Sequence, residues 1–140
     1  ALDRMRAAVG RHPLTIAGAV GARNVTSLRW WEGEVVGSLR HAGGAIGAPA
    51  GAWTEADVVH DAALALSPLV VGNIRCDRRV WSGAHGLAAE LCALVRASGG
   101  AVGVTDLPLS QTGPATTPET LEFLGADVLW RARWSYLPDA

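Results

Sequence analysis

The chain has 140 residues, of which 49% are hydrophobic and 18% charged, and its formal net charge is −1. That length makes one ordinary domain able to bury roughly two thirds of the surface its unfolded form exposes, and the apolar share excludes a disordered chain, whose apolar surface is too small to offset ordering entropy. The near-neutral balance gives no global reason to seek nucleic acid or an anionic membrane as partner.

Taken in chain order, the first element is a helix. Leu2, Met5 and Val9 share a face, Arg4 and Arg6 lie off it, and Gly10 and Pro13 end it. Leu14 to Val20 reads as a short buried strand. Residues 25–40 suggest a hairpin, with Leu28–Trp31 and Glu34–Arg40 flanking a Glu32-Gly33 turn. Glycine and alanine crowd residues 42–52, which read as a loop with no phosphate-cradling motif in it.

A helix is expected over 54–66, opened by Thr54 with Glu55 and Asp57 in its first turn and stopped by Pro68. Leu69–Ile74 is expected as a buried strand, and Val80-Trp81 as a further one. The second clear helix covers 84–97, with Leu87, Leu91, Leu94 and Val95 on one face and Gly99-Gly100 closing it. Ala101–Val104 is a strand ending at Thr105-Asp106. A polar loop from Ser110 to Thr117 leads to a short helix opening near Pro118. The last element is read as a strand, with Trp130, Ala132, Trp134 and Tyr136 on one side and Arg131, Arg133 and Ser135 on the other.

The expectation is therefore a single domain over residues 1–140, α/β or α+β. It has a mixed sheet of about five or six strands, with two main packing helices on it. The chain begins without Met, which fits a processed product or a segment of something longer. Its apolar runs fall far short of the ~20 residues that span a bilayer, and no basic-then-apolar signal segment opens it. Cys76 and Cys92 form neither a C-x-x-C pair nor a metal spacing, which favours free thiols in a reducing compartment. A cytoplasmic protein with no membrane partner is expected.

Four constellations carry possible chemistry. Asp57, His60 and Asp61 are spaced i, i+3 and i+4, so a helix would place all three on one face, where they suit a divalent metal or an acid–base pair. The His60-Asp61 dipeptide is the one that names the HD phosphohydrolases, but the further ligands of that family have no counterpart here and the match is rejected. Cys76, Asp77, Ser82 and His85 supply the parts of a thiol hydrolase: nucleophile, base and orienting carboxylate.

Third, Glu90 followed by the strand ending at Asp106 resembles the helix-to-strand step of ribonuclease H-like nucleases, which place one metal-binding acid on each. The first strands here contain no acid, so two-metal catalysis lacks a ligand. Asp106 has a separate claim, since carboxyl ends of strands are where open α/β sheets put their sites.

The fourth constellation follows from two oddities of composition. All 12 basic residues are arginine, and there are six Trp against one Phe and one Tyr. Arginine suits planar, bidentate contact with carboxylate or phosphate, and tryptophan suits pocket mouths and interfaces. Arg75, Arg78, Arg79 and Trp81, beside Arg131, Arg133, Trp130 and Trp134, would make a cationic, stackable surface if their strands are neighbours.

The function expected is a small-molecule-binding domain, catalytic or not, that recognises an anionic ligand through these arginines. One alternative is a hydrolase acting through Cys76 and His85, with Asp106 as a further catalytic candidate, or through a metal at Asp57, His60 and Asp61. The other is a non-catalytic protein-interaction module using the Trp-rich final strand, with a second copy or a domain of a parent chain as partner. No cofactor is indicated, and nucleic acid is disfavoured because no wide basic stripe is present.

Overall fold

The computed structural model describes residues 2–41, 44–61, 63–76, 86–110 and 120–134. In chain order the elements are helix α1 (Leu2–Val9), strands β1 (Thr15–Gly18) and β2 (Val20–Arg23), a 3-10 turn at Trp30–Glu32, and strands β3 (Glu34–His41), β4 (Gly44–Gly47), β5 (Thr54–Glu55), β6 (Val58–Val59) and β7 (Leu64–Leu66). Helices α2 (Pro68–Asn73) and α3 (Leu87–Ala97), strand β8 (Ala101–Val104) and helix α4 (Leu121–Trp134) complete it.

The strands form two four-stranded sheets rather than one larger sheet. The first has the order β5-β8-β1-β7, the second β4-β3-β2-β6. Among the described strands only β1 and β8 pair in parallel; the other strand pairings are antiparallel. The expected mixture of helix and strand is present as an α+β domain, and the single sheet is corrected to two. Along the described strands the chain changes sheet four times, from β1 to β2 through Ala19, from β4 to β5, from β5 to β6 through Ala56-Asp57, and from β6 to β7. The crossing at Ala56-Asp57 is held by Ala56 N–H donating to the Val102 carbonyl and Asp57 N–H to that of Ala22. Gly21 permits the close β2–β6 approach, because a Cβ there would lie 2.1 Å from the Val58 carbonyl oxygen.

Helix α3 packs over both sheets. Its Cys92 and Val95 join Ile16, Val59, Val102 and Val104 in one apolar cluster. Its Ala89 and Ala93 join Val20, Ala22, Leu39, Trp30, Phe123 and Trp130 in the other. Apolar groups at 89, 92 and 93 serve two neighbours because adjacent helical faces are ~100° apart per residue.

Four elements differ from the sequence reading. Residues 54–66 are three short strands, not a helix. The apolar run there is buried throughout Ala56–Val59, and a short buried strand has no alternation to separate it from a helix face. Leu69–Ile74 is not a strand: α2 opens with Ser67 at the N-cap position and Pro68 in the first turn, the usual helix-opening arrangement. Leu28–Trp31 precedes and enters a tight turn, so the hairpin partner of β3 is β2. The final described element, through Trp134, is helix α4 and not a strand; Ser135 and Tyr136 lie outside the described residues. Phe123, Asp127 and Trp130 are its buried positions and Trp134 is partly buried, a set spaced i, i+4, i+7 and i+11. The residue-by-residue alternation from Trp130 onward is incidental to that helical face. Among the described residues no helix is long and apolar enough to cross a membrane.

Candidate functional site

The sequence placed Asp57, His60 and Asp61 on one helical face. In an extended chain, positions three apart point to opposite sides, and the three are divided accordingly. Asp57 clamps the frame: its carboxylate accepts from Asn24 N–H at 2.7 Å and pairs with Arg96 at 3.3 Å. His60 turns the other way, and its Nδ1 lies 3.1 Å from an Asp61 carboxylate oxygen. Among the described residues no group of three His, Cys, Asp or Glu side chains is placed to hold a metal.

His60 is held from both sides. Its ring stacks on Trp30, centroids 5.1 Å apart and planes 25° from parallel. Its Nε2 is buried and has no hydrogen-bond partner among the described residues. The ring lines a small cavity of about 60 Å3, walled by Leu28, Trp30, Val58, Ala89 and Phe123.

Of the thiol-hydrolase parts, Asp77, Ser82 and His85 lie outside the described residues. Cys76 is partly buried, and burial, reinforced by the Glu90 carboxylate, pushes its thiol up despite the opposing Arg133 guanidinium. A nucleophilic thiol needs the opposite shift. Cys92 is fully buried in the core, and burial pushes it up to about 12.

Asp106 stands just beyond β8, where its carboxylate accepts from Ala50 N–H at 2.6 Å and Gly51 N–H at 3.0 Å. It fastens the loop before β5 to the end of β8. Glu90, the other acid of the helix-to-strand comparison, is entirely buried and serves α4: it accepts from Arg133 Nε at 3.1 Å and from Trp134 Nε1 at 2.6 Å.

The arginines expected to hold a ligand are therefore engaged elsewhere. Arg133 meets Glu90, and Arg131 Nε meets Asp127 at 3.1 Å. Arg75 donates back to the Val71 and Ile74 carbonyls at the end of α2. Arg78, Arg79 and Trp81 lie outside the described residues. Trp130 is 5% exposed, so it belongs to the core and not to an exposed Trp-rich face.

Two other arginines face open space. On β3, Leu39 points into the core, and Ser38 and Arg40 therefore share the outer face. Arg40, Ser38, Leu107, Pro108 and Ser110 line a cleft of about 490 Å3. A second depression of about 480 Å3 shares Ser38, Pro49, Leu107 and Pro108 with it and adds Arg4 and Asp106. The walls are fixed by backbone pairing, since Arg40 lies between Ala45 of β4 and a bridge to Ser110. Arg4 donates to the Asp106 carbonyl at 3.0 Å. Neither Arg4 nor Arg40 makes an ion pair among the described residues. The sequence carried a signal for this face, because the strand over 34–40 was legible and its alternation places Ser38 and Arg40 together. Comparison of the chain with family models, curated proteins and solved structures returns no match.

Proposed function

We propose that this domain binds a small anionic molecule, bearing a carboxylate or phosphate, in the cleft at Arg40. The observation that carries the reading is a guanidinium with no acidic partner among the described residues, lining a cleft within the ~300–1,000 Å3 range of small-molecule sites. Guanidinium matches carboxylate and phosphate in geometry and keeps its charge at any physiological pH. Ser38 and Ser110 add hydroxyls able to donate to the same anion, and Leu107 with Pro108 supplies an apolar wall for its carbon skeleton. The arginine preference of the sequence keeps its ligand-directed sense here, on residues other than those first favoured.

Titration with succinate and with inorganic phosphate at low ionic strength tests the proposal, followed by amide shifts of Ser38, Arg40 and Ser110. Saturable shifts are expected, with roughly tenfold weaker binding in Arg40→Gln, the size of one charge-assisted hydrogen bond. Neutral succinamide should not bind. Equal binding of succinate by wild type and Arg40→Gln would refute the proposal.

A further inference from the structure

The His60 cavity lies apart from that cleft and shares no lining residue with it. We infer that it is a second binding site, which takes a small neutral molecule with a hydroxyl or N–H donor on a compact apolar body. Buried polar atoms in folded proteins are almost always hydrogen-bonded, so a buried imidazole nitrogen lacking a partner marks a place where a donor or acceptor belongs.

The other ring nitrogen says which. Nδ1 lies 3.1 Å from the Asp61 carboxylate, and a carboxylate can only accept. In the tautomer that carries its proton on Nδ1, towards Asp61, Nε2 presents the lone pair. A ligand that meets this tautomer supplies the donor.

The walls define the rest of the ligand. Leu28, Val58, Ala89 and Phe123 are apolar, and among the described residues no arginine lines the cavity. An anion would lose hydration there and meet the Asp61 carboxylate, which also lines the cavity, so this site selects against the anions proposed for the Arg40 cleft. No metal-binding trio includes His60 among the described residues. The volume of about 60 Å3 admits on the order of five water-sized groups, the scale of a short branched alcohol. Trp30, stacked on the ring, and Asp61 hold the imidazole in one orientation, so the acceptor is fixed before the ligand arrives.

The test compares isobutanol with 2-butanone, which match in heavy-atom number but differ in that only the alcohol donates. Long-range 1H–15N spectra of the labelled protein follow His60 Nε2 directly, and the Trp30 and Phe123 ring signals report occupancy. Isobutanol is expected to shift His60 Nε2 saturably and to bind about fivefold more tightly than the ketone, one neutral hydrogen bond's worth. His60→Phe keeps a ring on Trp30 and should abolish the preference. Asp61→Ala trims one edge of the cavity, leaves His60 on Trp30 and frees the tautomer, and should bring the ratio toward parity. Equal binding of the two probes by wild type, no saturable shift with either, or a preference that persists in His60→Phe would overturn the inference.

Discussion

Arginine does two different things in this molecule, and the contrast lies between the α4 contact and the Arg40 cleft. Where α4 meets the body, guanidiniums converge on buried carboxylates. Asp127, 1% exposed, accepts from Leu28 N–H at 2.7 Å and pairs with Arg29 and Arg131; Glu90 is matched by Arg133 and Trp134. Arg40 in the cleft and Arg4 in the adjoining depression have no carboxylate paired to them among the described residues. A charge inside a fold must be compensated by its own chain, whereas one at a cavity edge is hydrated and remains available. The same residue type therefore separates into structural and ligand-facing roles by what lies opposite it.

That contrast breaks first at α4. Asp127→Ala should cost about 4 kcal/mol in urea denaturation, because it leaves a backbone donor and two guanidiniums unmatched. Glu90→Ala should cost less, about 3 kcal/mol, since its partner Arg133 is part-exposed and regains water. Losses under 1 kcal/mol for both would mean that α4 is held by Phe123 and Trp130 alone.

Cys92, two residues along α3 from Glu90, sharpens the comparison. It is a buried ionisable group with no cationic partner close enough to offset burial, and it stays neutral. Its folded-state value is raised, from 9.0 to about 12. The unfolded chain thus releases the proton first, and stability is full below pH 9 and falls as pH rises from there toward 12. Cys92→Ala should flatten that part of the pH–stability curve. Cys76, shifted in the same direction, should alkylate more slowly at pH 7.5 than an unstructured thiol; a faster rate would restore the nucleophile reading. The smallest effect is expected at the cleft, where Arg40→Gln should change stability by under ~0.5 kcal/mol.

Sequence legibility followed how distinctive each local pattern was. Helices at the N-terminus and at 87–97 were readable because apolar spacing and glycine stops agree, and Ala101–Val104 because it is a short apolar run between them. Residues 54–59 were not, because β6, buried on both faces, presents no alternation, β5 is only two residues long, and acids near Thr54 imitate a helix start. The α4 error has a different origin. Trp130, Ala132 and Trp134 alternate over too few residues to outweigh the longer helical set reaching back through Asp127 to Phe123. That misreading moved Arg131 and Arg133 from a sheet face to a helix contact and so displaced the arginine site. Pairing by distant chain segments decides which arginine meets a carboxylate, and local spacing carries no record of it.

The central claim is the division between the two sets of arginines. It is tested most directly by following the arginine side-chain Nε–H signals of one labelled sample while succinate is added. Saturable shifts are expected for Arg40, smaller ones for Arg4, and none for Arg131 and Arg133, whose partners are already Asp127 and Glu90. Shifts at Arg131 and Arg133 with Arg40 unmoved would contradict it.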